Sequence, residues 1–166
     1  MNNDRELIYN FNEHGLYYED MISLNSHVEK VISLAISTIE LDFDYLNGKL
    51  LTVTGFLPLV KAKKKVVDIP SCVDGSFFVS MDEILYKKGI AYDYFDFFPV
   101  SKEYLMIDEY NPKLYYDESN KIIIVGSFDE NEHHIRISKN IICGVDQNGT
   151  LKSLLIMIDK IKYVGD

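Results

Sequence analysis

The chain has 166 residues, of which 47% are hydrophobic and 26% charged, and its formal net charge is −9. These values are typical of one folded globular domain and exclude an intrinsically disordered chain. The acidic balance disfavours nucleic acid as a ligand, because proteins neutralise phosphates with Lys and Arg. Residues 1–45 hold nine acidic and two basic side chains, and residues 82–118 hold nine and four. This concentration favours a basic protein as partner, although acidity that only maintains solubility is the simpler alternative.

The polar N-terminal residues and the lack of a long apolar run indicate the cellular location that we expect. Residues 1–6 are polar, and no stretch approaches the roughly 18 consecutive apolar residues of a membrane span. We therefore expect a cytoplasmic protein with neither a signal peptide nor a membrane contact. Cys72 and Cys143 are expected to be buried thiols, because their spacing fits no zinc or redox motif.

The first 38 residues carry weak structural signals. Residues 1–24 are polar and predict a loosely attached lead-in with one short helix or edge strand. Residues 26–38 begin like a helix capping box, which supports a helix. Their alternating apolar positions and β-branched content favour a strand instead, with a bulge at Ser37-Thr38. We prefer the strand.

A hairpin over residues 39–55 is the clearest prediction. Apolar and acidic residues alternate from Ile39 to Tyr45, which is the period of a strand with one wet face. Asn47-Gly48 are expected to form a tight turn in which both residues have positive φ. The outer face of this hairpin then shows Glu40, Asp42 and Asp44 in a row. Three carboxylates in a row repel one another and suit a positively charged partner better than they suit fold stability.

The middle of the chain contains one basic and one aromatic segment. Lys61 to Lys65 is the basic cluster, which we interpret as protection of a strand edge rather than a nucleic-acid patch. A short strand over 66–69, a strand over 76–81 and a helix over 82–88 are expected to follow. Residues 92–99 hold five aromatic and two acidic side chains. They are either a core strand or a recognition loop, and both roles are compatible for different side chains.

After a further strand over 103–108, residues 114–159 predict a C-terminal β-meander. Its last strand runs from Leu151 to Ile158, and residues 154–158 are apolar on both faces, so this strand is expected at the centre of a sheet. We therefore predict a single α+β, mainly β domain over residues 1–166. Its antiparallel hairpins and meander should form a two-layer or strongly curled sheet with one or two short helices.

The sequence contains no signature of catalysis or metal binding. Motifs for serine hydrolases, phosphate loops and dinucleotide binding are absent. His133 and His134 are adjacent, so in a strand they face opposite ways and cannot bind one metal together. We expect no cofactor and no metal, and a binding protein rather than an enzyme.

Two resemblances add to this interpretation. The part from Tyr116 to Leu151 resembles the small β-meander of the DUF2283 type, in its acidic opening turn and its later Asp146-Gln147-Asn148-Gly149 turn. It departs from that pattern at Lys152-Ser153, where a glycine is expected, and the resemblance implies no activity. The chain as a whole resembles the immunity proteins of contact-dependent and polymorphic toxin systems, in its acidic hairpin, its Gly55-Phe56-Leu57-Pro58 segment and its aromatic-acidic segment.

The second resemblance implies a domain that binds one cognate toxin domain, often a basic nuclease, and occludes its active site. We expect the chain to be monomeric when free and to use an acidic, Tyr-rich face. The predicted contacts on that face are Glu40, Asp42, Asp44, Asp93, Tyr94 and Asp96. The alternatives are a β-rich ligand-binding or enzymatic domain with a pocket between sheets, and a structural protein that self-associates through strand edges.

Overall fold

The computed structural model describes residues 5–19, 31–36, 38–76, 91–93, 113–127, 129, 131–148 and 151–163. These residues form fourteen strands and one 3-10 turn, Leu59–Lys61. The strands are β1 Leu7–Asn10, β2 Gly15–Tyr18, β3 Val31–Ile36, β4 Ile39–Asp44, β5 Leu50–Phe56, β6 Lys63–Lys64, β7 Val73–Asp74, β8 Ala91–Asp93, β9 Leu114–Asp117, β10 Ile122–Gly126, β11 His133–Arg136, β12 Ile141–Val145, β13 Leu151–Met157 and β14 Lys160–Lys162. The described residues contain no helix of the length and apolarity that crossing a membrane requires.

The strands form two seven-stranded mixed sheets. Sheet A has the order β14-β1-β2-β5-β4-β3-β8, and sheet B has the order β6-β9-β10-β13-β12-β11-β7. Most neighbours are antiparallel, and the outermost described strands β14, β8, β6 and β7 pair in parallel. The mainly β, two-layer prediction is confirmed. The helix expected over 82–88 and the strand expected over 103–108 lie outside the described residues, as does the strand expected over 76–81 except for Ser76.

The core lies between the two sheets. One buried cluster contains side chains from both of them, including Tyr9, Leu41 and Phe43 of sheet A and Ile123 and Leu154 of sheet B. Alternation along each strand sends every second side chain into this layer. Sheet B is also covered on its other face, which is why β10 and residues 154–157 of β13 are apolar on both sides.

Residues 5–19 correct the predicted lead-in. Instead of being loosely attached, they form β1 and β2 inside sheet A, and Leu7, Ile8 and Tyr9 have no exposed surface. The apolar run in β1 has only three residues and is flanked by polar ones, so the sequence did not predict this buried strand. Residues 31–36 are a strand, as preferred. The phase shift at residue 38 is a chain reversal and not a bulge, because Ile36 pairs with Ile39 across the β3–β4 hairpin.

The C-terminal strands are also ordered differently from a meander. All five expected strands form, but β10 pairs with β13 instead of β11. The two strands that are apolar on both faces therefore lie side by side near the middle of sheet B, and β13 occupies the central position, as its composition predicts. Strand β11 has one exposed and one buried histidine and lies further out.

A segment that we call the strap, residues 65–72, crosses the outer face of sheet B. It leaves β6 at one described edge of the sheet and enters β7 at the other. Six interstrand steps of about 4.8 Å separate these edges, a distance of about 29 Å. The nine residue-to-residue steps from Lys64 to Val73 span it only when the chain is nearly extended. Val67 and Cys72 of the strap pack on the apolar outer face of sheet B. The short strand predicted over 66–69 is therefore wrong, and Lys63 and Lys64 form an edge strand of sheet B within the described chain.

Candidate functional site

The candidate site is the face of sheet A that points away from sheet B. Along β4, the residues Ile39, Leu41 and Phe43 are buried in the core. The alternate residues Glu40, Asp42 and Asp44 therefore point outward, as the sequence predicts. Neighbouring carboxylates on this face are about 7 Å apart, where two unit charges in water repel by about 0.6 kcal/mol before screening. A fold of ordinary stability tolerates this cost.

Glu40 is the most exposed member of the row. It lies between Ala35 of β3 and Thr54 of β5 in register. No hydrogen bond or ion pair holds its carboxylate among the described residues. Its charge is therefore available to a cation outside this part of the chain.

Asp42 is partly exposed and has a neighbour that fixes its orientation. The hydroxyl of Ser33, directly opposite on β3, donates a hydrogen bond to Asp42 Oδ1. A hydrogen bond from a neutral hydroxyl leaves the negative charge of the carboxylate in place. Asp42 is thus an oriented anion on the outer face of the sheet.

Asp44 has a structural role. Its Oδ1 accepts the backbone N–H of Leu46 at 2.8 Å and its Oδ2 accepts the side-chain amide of Asn47 at 2.6 Å. Its backbone carbonyl also accepts the N–H of Gly48. Both carboxylate oxygens therefore hold the turn, so Asp44 contributes charge but is not a free contact.

The turn itself differs from the prediction. Gly48 has φ of 67°, whereas the described residues with positive φ other than glycine are His14 and Lys121. Asn47 therefore does not adopt the left-handed conformation expected of it. The two-residue turn is wrong because Asp44 and Asn47 cap a longer loop with their side chains, a competing arrangement that Asp and Asn commonly adopt.

Strand β8 brings the second predicted acidic segment to the same sheet. The backbone of Asp93 is in register with Ala35 of β3, which is itself in register with Glu40. The backbone of Asp93 is therefore level with that of Glu40, two strands away, at a distance of about 10 Å. Tyr94 and Asp96 lie outside the described residues, and their role remains a prediction. Of the two alternatives for residues 92–99, a strand is observed for Tyr92 and Asp93, and residues 94–99 lie outside the described residues.

The acidic row is not neutralised by the chain's own bases in the described ranges. The ion pairs of lysine found there join Lys64 to Glu118, Lys139 to Asp159 and Lys152 to Asp146. All three pairs involve carboxylates other than those of the row. The described part of the chain therefore offers negative charge without a counter-charge of its own, which suits electrostatic attraction of a cationic surface.

A second group of polar side chains, which the sequence did not reveal, lies buried on the outer face of sheet B. We call Glu132, His134 and Ser153 the buried polar cluster; each is less than a tenth exposed. The Ser153 hydroxyl donates a hydrogen bond of 2.6 Å to Glu132 Oε2. Glycine within a strand can indicate a close approach, and Gly144, which lies beside Ser153, was the available sequence signal.

The remaining reactive groups do not form a site in the described residues. No group of three or more His, Cys, Asp or Glu side chains there is arranged to hold a metal ion. Cys143 lies in the core between the sheets, where burial raises the pKa of its thiol to about 12. Cys72 packs on the opposite face of sheet B and is partly exposed. Because the sheet separates the two thiols, they do not form a disulfide.

Comparison with known proteins does not assign the chain to a family. No protein-family model matches the sequence, and no curated protein matches it significantly.

Proposed function

We propose that this chain is an inhibitor of the immunity-protein type, which binds a basic toxin domain through the outer face of sheet A and covers its active site. The observation that carries the proposal is the outward row on β4, in which Glu40 and Asp42 present carboxylates without a counter-charge from the described chain. A nuclease domain that binds phosphates has the complementary positive surface.

The structure revises the role of the individual contacts. Glu40 and Asp42 are the direct electrostatic contacts in the proposal, and Asp44 supports them by fixing the hairpin turn. The backbone of Asp93 on β8 is level with that of Glu40, and Tyr94 and Asp96 follow it in the sequence. A rigid, preformed hairpin loses little entropy on binding, which favours affinity.

The size of the face agrees with a protein partner. Strands β5, β4 and β3, of six or seven residues, and β8, of three residues, are spaced by about 4.8 Å and give a face of roughly 350 Å². A standard interface buries about 800 Å² on each partner. The sheet face therefore supplies about half of such an interface, and the adjoining segments must supply the rest.

The test begins with affinity capture from the native cell, followed by purification of the captured protein. Its association rate is then measured against salt for the wild type, for the double variant Glu40→Gln with Asp42→Asn, and for the control Glu13→Gln, an exposed carboxylate in the β1–β2 turn. Loss of two steering charges should slow association by about threefold to tenfold and flatten its salt dependence, with little change in dissociation. The control should behave as the wild type.

Two results contradict the proposal. One is a partner that is acidic or has no toxic activity that the chain suppresses on co-expression. The other is an unchanged association rate and salt dependence in the double variant. Asp44 is left intact because its replacement would also disturb the turn. Light scattering of the free chain tests the accompanying expectation that it is a monomer.

The alternative of a ligand-binding or enzymatic pocket between the sheets gains no support from the described residues. Apolar side chains of both sheets occupy that layer.

A further inference from the structure

The buried polar cluster joins a connection to the middle of sheet B. Glu132 ends the link between β10 and β11, and its carboxylate accepts the hydroxyl of Ser153 on the central strand β13. His134 follows on β11, with its Nε2 at 4.0 Å from the same carboxylate oxygen. That distance is too long for a hydrogen bond, so the bond to Ser153 is the direct link between Glu132 and the sheet.

Gly144 makes this link possible. In register, Gly144 of β12 lies between His134 and Ser153. A Cβ atom at this position would lie 2.1 Å from Glu132 Oε2 and 2.2 Å from Ser153 Oγ. The Glu132 carboxylate therefore occupies the space that a side chain at position 144 would need, so glycine is the residue that fits there.

The charges near the cluster do not compensate for burial of an ionised Glu132. Burial raises the pKa of this carboxyl and the Asp129 carboxylate raises it further, whereas the Ser153 bond and Lys152 act in the opposite direction. Lys152 is itself paired with Asp146 at 3.4 Å. Burial lowers the pKa of His134, and His133 adds to this effect. Compared with water, the surroundings of Glu132 thus shift its carboxyl toward the protonated form, and those of His134 shift its ring toward the neutral form.

We propose that the Glu132–Ser153 bond is a pH-dependent tie. In its closed form it holds the Glu132 side chain against β13, and this form is favoured when Glu132 is protonated and opens more readily when Glu132 is ionised. A glutamine would offer Ser153 the same acceptor oxygen without titrating, so the carboxyl adds pH dependence that the fold does not require. The proposal is independent of the function of the acidic face.

The direction of the effect follows from proton linkage. The closed form binds a proton more tightly than an open form in which Glu132 is in water. Opening therefore becomes easier as pH rises from the ordinary pKa of glutamate to the higher pKa of the closed form, by up to about tenfold per pH unit, and levels off above it.

Amide hydrogen exchange of residues 131–136 and 151–157 measures this opening, with each rate divided by the rate of an unstructured peptide at the same pH. The normalised exchange rate should rise with pH in the wild type and in the control Glu13→Gln, and it should not change with pH in Glu132→Gln. A flat wild-type profile, or a rise that persists in Glu132→Gln, overturns the proposal. If that variant does not fold, carbon NMR titration of the wild-type Glu132 carboxyl decides the matter: an elevated pKa supports the tie, and an ordinary one overturns it.

Discussion

Replacing Asp117 by Asn should detach the strap from sheet B. The Asp117 side chain is almost fully buried at the end of β9. Its Oδ2 accepts the N–H of Val67 at 2.8 Å and the side-chain amide of Asn120 at 3.0 Å, and its Oδ1 accepts the N–H of Asn120 at 3.0 Å. An asparagine has one acceptor oxygen, so at least one of these donors must face an NH₂ group.

The expected loss of stability follows from that count. A hydrogen bond to a charged group contributes about 1.5–3 kcal/mol, and the remaining bonds become neutral and weaker. Asp117→Asn should therefore lower the free energy of unfolding by about 2 kcal/mol near neutral pH, or the melting temperature by about 4–8 °C. Urea denaturation measures the change, with Asp68→Asn, an exposed carboxylate on the same strap, as the matched control.

The difference between wild type and Asp117→Asn should also depend on pH. Hydrogen bonds from the N–H groups of Asn120 and Val67 hold the pKa of Asp117 below its ordinary value, against the effect of burial. Its contribution to stability is then present above the ordinary pKa of aspartate and is lost as pH falls through the lower pKa of the folded state. The two unfolding curves should converge in acid. A loss below about 0.5 kcal/mol near neutral pH, or a gap that persists in strong acid, refutes this reasoning.

Three further predictions concern the core. Tyr9→Phe removes a buried hydroxyl that donates to a backbone carbonyl, and should cost about 1–2 kcal/mol in urea denaturation; an unchanged midpoint contradicts the role of that bond. Gly144→Ala should cost more than about 2 kcal/mol because its methyl group overlaps the buried polar cluster, whereas Gly15→Ala, whose Cβ meets its nearest neighbour at 3.8 Å, should cost less than 1 kcal/mol. Iodoacetamide should modify Cys72 but leave Cys143 unreacted in the folded chain near neutral pH; equal labelling by mass spectrometry would refute the burial of Cys143.

The sequence correctly predicted those strands whose position depends on the pattern of apolar and polar residues within the strand itself. The alternation from Ile39 to Asp44 correctly gave β4 and its outward carboxylates, and the two-sided apolar run of β13 correctly gave its central position. The partner of each strand depended on distant segments. Nothing near β10 specifies β13 as its neighbour, and the choice follows from the need to cover both faces of two apolar strands.

The candidate site was predicted only in part, because alternation along one strand does not determine all of its side-chain contacts. The row on β4 follows from a period of two, but the capping role of Asp44 depends on how its side chain competes for the turn. The buried polar cluster was missed because Glu132 and Ser153 are 21 residues apart and are brought together by the pairing of β11 with β12 and of β12 with β13. A polar residue in the apolar strand β13 and a glycine in β12 were the local signs of it.

The pairing of β14 with β1 has a consequence for biosynthesis. Ile8 pairs with Lys160, so this strand contact of sheet A requires residues that leave the ribosome about 150 positions apart. At about 5–20 residues per second, the first of them waits roughly 8–30 s for its partner. During that interval the three apolar side chains of β1 lack one neighbouring strand, and a nascent-chain chaperone has time to bind them.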